Sequence, residues 1–263
     1  MSLKKLGLAA LLALAAALPA KAEQKTTLKI GITPGPHTEI TEFVKPILAK
    51  EGIELEVFSF SDYIIPNEAL AGGDLDVNSF QHQPFLDKQV ADRGYKIESV
   101  ARTVVFPMGI YSKKYKTWKD VPDGVTIAIP NDPTNGGRAL LLLQARGALK
   151  IKPEAGLSPN LLDITENPKN LKFIEIEAAQ TNRTLDDVDV AAVNTNFVVA
   201  DGGNPVTDSI LLEDADGPYA NVIAVRSEDK DKPWVKTLIK VYQSPEVKKF
   251  VEEKFKGAVI VAF

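Results

Sequence analysis

The 263-residue chain is 44% apolar and 25% charged, ordinary values for a globular protein. Its length suits one large domain or two lobes of roughly 100 residues each. A formal net charge of −4 argues against a nucleic-acid partner, which needs a basic face. The absence of cysteine excludes disulfides, thiolate metal sites and a cysteine nucleophile.

Residues 1–22 read as a secretory signal: Lys4 and Lys5, an uncharged apolar run over 6–18, then Ala20-Lys21-Ala22 as a cleavage pattern. The run is shorter than the ~20 residues that span a bilayer, so an exported, soluble product starting at Glu23 is expected. Residues 28–33 alternate as a strand and end in the loop Pro34-Gly35-Pro36-His37. Ile40, Phe43, Val44, Ile47 and Leu48 then recur at helical spacing, with Pro46 an awkward, kinking insertion. A second strand over 53–60 completes a βαβ unit, which implies a parallel sheet. A short strand over 75–77, a helix over 84–93 and an extended segment over 97–111, broken at Pro107, follow. A second set of units comprises a strand over 125–129, a loop over 130–135, a helix over 136–145 closed by Gly147, and strands over 173–177 and 188–193. Residues 150–172, with Pro153, Pro159 and Pro168, read as loop. The chain ends with an extended segment over 219–226, a helix marked by Val235, Leu238, Ile239 and Tyr242, and a last helix. Ser244 caps that helix and Pro245 opens it.

The unusual polar groups fall just after predicted strands, at 33–37, 78–82, 131–138 and 194–196, and strand ends of parallel α/β lobes share one edge. Facing lobes would bring these groups into one cleft. In the stretch GGDLDVNSFQHQPFLD, Phe80 and His82 supply apolar faces beside donor–acceptor amides, although a place in the core is the commoner fate of a lone aromatic or histidine. In PTNGGR, paired glycines at a helix start let backbone approach a ligand, and free amides favour an anion. Arg138 adds a planar fork for a carboxylate, or a partner for a surface acid. Asn194 and Asn196 can accept from an ammonium group and donate to a carboxylate; turn capping is the alternative.

DVNSFQHQPFLD, NDPTNGGRALLLLQ and the segments from TPGPHTEI to KKFVEEKFKGAVIVAF together resemble the methionine-binding lipoprotein (NlpA) family. The resemblance implies a two-lobed α/β periplasmic-binding fold of type II character with the ligand cleft between lobes: lobe 1 from 23–108 plus 223–263, lobe 2 from 109–222. It implies an ABC-importer binding protein that captures L-methionine, with D-methionine or a methionine dipeptide as runner-up ligands. Partners would be the ligand and an inner-membrane permease, with no cofactor, no nucleic acid and a monomeric state. Carried over by motif, Arg138 holds the carboxylate, Asn196 and Asn221 fix the amino-acid backbone, and Tyr63, Phe80 and His82 enclose the side chain. Most relatives are tethered through a lipidated cysteine; none is present here, so a free, unlipidated periplasmic protein is expected. A periplasmic hydrolase is the rival from another class. The chain lacks a G-x-S-x-G elbow and has only His37 and His82 as histidines, without H-E-x-x-H spacing, so no enzyme is expected.

Overall fold

The computed structural model describes residues 26–263, so the secretory signal lies outside the described residues. In chain order the elements are β1 (Thr26–Ile32), α1 (Pro36–Lys50), β2 (Ile53–Ser59), α2 (Ile65–Gly72), β3 (Val77–Asn78), α3 (Gln83–Arg93), β4 (Ile97–Val105), β5 (Gly109–Tyr111), β6 (Thr126–Pro130) and α4 (Pro133–Ala145). There follow β7 (Lys150–Ile151), β8 (Ile164–Glu166), β9 (Lys172–Ile176), β10 (Val190–Val193), α5 (Thr195–Ala200), α6 (Pro205–Asp208), β11 (Leu211–Leu212), β12 (Ala220–Arg226), α7 (Pro233–Tyr242), α8 (Pro245–Phe255) and β13 (Ile260–Val261).

Two sheets organise the molecule. The first is six-stranded in the order β13-β4-β12-β3-β1-β2, the second five-stranded in the order β11-β5-β10-β6-β9. In the first, β1 runs parallel to β2 and β3, and β12 inserts antiparallel between β3 and β4. In the second, β6 runs parallel to β9 and β10, and β5 is antiparallel to β10. Because β4 and β5 belong to different sheets, the chain leaves the first sheet across residues 106–108. It returns between β11 and β12, across residues 213–219. The break at Pro107 therefore marks a change of sheet, as a residue without a backbone donor inside one ladder would be disfavoured.

The helical periodicity of α1 corresponds to its burial: Ile40, Val44 and Leu48 lie in the core of the first sheet, where α1 packs on β2 and α7. Pro46 sits within that helix on its exposed face. The carbonyl it leaves without a donor belongs to Glu42, which is also exposed, so water replaces the missing bond. The second sheet has its own core of Ile127, Ile129, Leu140, Leu143 and Val190. Helix α4 begins at Pro133 rather than Gly136, because the Asp132 side chain accepts from Asn135 N at 2.8 Å and Pro133 fits the first helical turn. The stretch read as loop over 150–172 carries the antiparallel ribbon β7–β8.

Candidate ligand-binding site

Tyr63 comes from the loop before α2, and Phe80 and His82 from the segment between β3 and α3. Arg138 projects from α4, Asn196 stands at the second position of α5, and Asn221 near the start of β12. All of them line a single cavity, whose walls also include Phe85, Phe106, Asn135 and Asn194. Counting its open mouth, the cavity has about 340 Å³ of atom-free space. The walls come from both sheets, at the carboxyl ends of the parallel strands β3, β6 and β10, where open α/β sheets place their ligands.

One side of the cavity is aromatic. Tyr63 lies 5.3 Å from Phe197 and 6.1 Å from Phe80 between ring centroids, and Phe85 stands edge-on to Phe80 at 6.2 Å. The other side is amide-rich. His82 Nδ1 accepts from Phe85 N at 3.1 Å, which leaves the proton on Nε2, and Nε2 donates to Asn135 Oδ1 at 3.1 Å. Asn194 Nδ2 donates to the same oxygen at 2.8 Å. Asn135 is in turn held by the Asp132 carboxylate through its Nδ2, at 3.0 and 3.1 Å. Tyr63 Oη donates to Asn196 Oδ1 at 2.7 Å. Two amide atoms are left over: Asn194 Oδ1 and Asn196 Nδ2 are buried without a partner. Orphaned buried polar atoms are costly, and this pair, one acceptor and one donor, belongs to residues that line the cavity.

Arg138 is 2% exposed. Its Nε donates to both carboxylate oxygens of Glu213, at 2.9 and 3.1 Å, and Nη2 bonds Glu213 Oε2 and the carbonyl of Phe106. The guanidinium carbon lies 4.1 Å from the centroid of Tyr219. Nη1 makes no hydrogen bond among the described residues and is not one of the buried atoms left without a partner.

Some readings of the sequence need correction. Gly136 and Gly137 do not line this cavity. A Cβ at Gly136 would stand 2.6 Å from Pro130 O, and one at Gly137 would stand 2.8 Å from Pro159 Cδ. They allow α4 to sit against its own sheet and the 158–159 loop. The α4 N-terminus is closed by Asp132 and is not open to an anion. Asn78 belongs to a buried amide cluster with Asn67 and Gln81, in which Asn78 Nδ2 donates to Asn67 Oδ1 at 2.9 Å and Gln81 Nε2 to the same oxygen at 2.7 Å. That cluster supports the segment carrying Phe80 and His82 from below. His37 is buried edge-on to Phe106 at 4.8 Å and is not part of the cavity wall. Asn194, at the cap position of α5, makes no capping bond and faces the amide network instead.

Both histidines are held neutral. His82 is pushed down to about 3, by burial first and then by the charge of Arg138; His37 is pushed down to about 4 by burial. The unfolded chain takes up these protons near pH 6.5, so their contribution to stability is full above that pH and is lost as the pH falls toward 4 and below. We expect His82→Gln, whose amide can still donate to Asn135, to flatten part of the fall in melting temperature between pH 7.5 and 5.0. An unchanged fall would show that His82 is not held as a neutral ring.

The NlpA lipoprotein family model matches residues 28–263. The chain belongs to the NlpA lipoprotein family. Among NlpA relatives, the "D-methionine-binding lipoprotein MetQ" of Salmonella typhimurium is 46% identical over 237 residues, covering 89% of this chain and 87% of the relative. "Lipoprotein 28" of Escherichia coli is 45% identical over 237 residues, with the same coverage, 89% and 87%. A solved nutrient-binding protein from Burkholderia cenocepacia, bound to methionine, superposes with a TM-score of 0.87 at 52% identity and covers 90% of this chain and 100% of its own. The two-lobed periplasmic-binding fold expected from the sequence is the fold of these NlpA neighbours. One expectation is overturned. The chain was expected to be a free, unlipidated periplasmic protein, whereas the family and its relatives carry lipoprotein names. The absence of cysteine from this sequence does not determine where the protein resides. No helix among the described residues is long and apolar enough to cross a membrane.

Proposed function

We propose that this protein is the substrate-binding component of an ABC importer, that it captures L-methionine, and that it delivers the ligand to a membrane permease as a monomer without a cofactor. The observation that carries this reading is the pair of orphaned amide atoms, Asn194 Oδ1 and Asn196 Nδ2, in an aromatic-walled cavity that Arg138 also lines. An amino-acid zwitterion complements that set. Its carboxylate takes Arg138 Nη1 and Asn196 Nδ2, its ammonium takes Asn194 Oδ1, and Asn221 supplies a further amide. Tyr63, Phe80 and His82 enclose the side chain, and a thioether gains about 0.3–1.5 kcal/mol against aromatic edges. The lobes, divided near 108 and 222, close over the ligand.

The name of the Salmonella relative favours a second ligand, D-methionine. One experiment separates these readings. The purified protein is denatured and the released small molecule identified by mass spectrometry. The refolded protein is then melted with L-methionine, D-methionine, glycyl-methionine or leucine. A ligand at 100 times its Kd adds about 2.7 kcal/mol of stability. A shift confined to methionine compounds supports the reading, and their order names the ligand. No released ligand and no shift with any of them would remove methionine binding from this protein.

A further inference from the structure

Glu213 lies outside the stretches that announce the site, yet its backbone N and both carboxylate oxygens are engaged at the junction between the sheets. Its backbone N donates to Met108 O at 2.9 Å, and Met108 N donates back to Glu213 Oε2 at 3.0 Å. This reciprocal pair laces the outgoing segment, 106–108, to the returning one, 213–219. The same carboxylate takes Arg138 Nε and Nη2, and Arg138 Nη2 also reaches Phe106 O in the outgoing segment. Tyr219, in the returning segment, covers the guanidinium face at 4.1 Å. The guanidinium is thus held along one edge by a carboxylate and on one face by a ring. A planar fork fixed in this way has little freedom left. The Glu213 side chain is 13% exposed and that of Arg138 3%, so water screens the pair less than it would at the surface.

We propose that Glu213 is a positioning residue: it aims Arg138 Nη1 into the cavity and ties both inter-sheet segments to that one orientation. This rests on the reading of the cavity as a site for an amino-acid carboxylate. The opposite role is chemically possible, since a carboxylate already on Arg138 competes with a ligand carboxylate. The two roles predict opposite signs. Positioning makes removal of Glu213 weaken binding, and competition makes it tighten binding.

The test uses the full chain, wild type, Glu213→Gln and Glu213→Ala, titrated calorimetrically with L-methionine and with L-methioninamide, which lacks the carboxylate. Glu213→Ala is expected to weaken L-methionine at least about tenfold, the scale of one misdirected hydrogen bond to a charged group. Glu213→Gln keeps one acceptor oxygen and a shape close to the original, and is expected to lose less. The amide is expected to lose less than methionine in both variants, because a merely structural defect weakens both ligands alike. Equal losses for the two ligands, or unchanged or tighter methionine binding, would overturn the proposal. Hydrogen exchange on the ligand-free proteins supplies an arm independent of methionine. Amides of Phe106, Met108 and Gly109 are expected to exchange about tenfold faster in Glu213→Ala, with those of β1 and β6 unchanged; equal rates at these three residues would overturn the lacing. Failure of the wild type to bind methionine sinks the proposed function alone, and the exchange arm then decides the lacing.

Discussion

Replacing Arg138 by Ala is expected to remove methionine binding and to lower thermal stability together. Truncating one partner of a desolvated charge contact costs about 2–5 kcal/mol of binding, roughly 30- to 4,000-fold in Kd. The second effect follows from Glu213. With the guanidinium gone, a carboxylate 13% exposed keeps only the Met108 amide as a donor, and breaking a buried pair on one side costs about 3–5 kcal/mol. For a protein of this size that corresponds to roughly 6–20 °C in melting temperature. From the sequence alone the expectation would be an intact fold, because the buried acid is not visible there. The double variant Arg138→Met, Glu213→Gln separates the two effects: without a buried charge it is expected to recover most of the stability and none of the binding. Calorimetric titration and thermal melts of the single and double variants check this. Methionine affinity in Arg138→Ala equal to the wild type would take Arg138 out of the site, and a double variant no more stable than Arg138→Ala would remove the stranded Glu213 as the cause.

Local signals carried most of the first sheet. The alternation before Pro34 and the 3.6-residue recurrence from Ile40 to Leu48 are properties of one segment facing one core, and β1, α1 and β2 form as that pattern implies. The interruption at Pro107 lies where the chain passes from one sheet to the other. Helices α2 and α5 escaped because eight and six residues are too few to express a helical period, and α5 is apolar on most faces. At the site, residue types after strands singled out the stretches 78–82, 131–138 and 194–196, since topology puts strand ends together, whereas the choice of Asn196, His82, Tyr63 and Asn221 rested on the family resemblance. What stayed hidden is pairwise. Glu213 meets Arg138 across 75 residues, and nothing in LLEDADGPYA distinguishes its first acid from the exposed ones that follow. The glycines of PTNGGR were legible as close-approach positions, but a Gly does not record what approaches; here it is Pro130 and Pro159. Asn135 and Asn194 lay inside stretches already singled out, and only the geometry shows that they bond each other.

Gly35→Ala is expected to weaken methionine binding at least about tenfold while leaving most of the fold's stability in place. Gly35 precedes α1 in the first sheet's half, with φ +86°, and a Cβ there would stand 2.5 Å from Asn196 O in the second. A backbone oxygen cannot swing aside as a side chain does. The clash is relieved only by drawing the start of α1 away from α5, which widens the gap between the halves at the residue whose side chain meets Tyr63. The φ requirement adds its own cost, of order 1–3 kcal/mol for a residue held in sparsely populated backbone space, and that cost must be separated from the contact. Gly52 makes the comparison possible: its φ is +82°, yet a Cβ there meets nothing within 4 Å. Gly52→Ala should therefore lower the melting temperature through backbone strain and leave the Kd for methionine unchanged. Small-angle scattering in saturating methionine should find Gly35→Ala more expanded than the wild type and Gly52→Ala indistinguishable from it. If both variants bind methionine equally well, the contact between Gly35 and Asn196 does not limit closure. If only Gly35→Ala loses affinity, closure of the halves to contact at this point is part of the binding free energy.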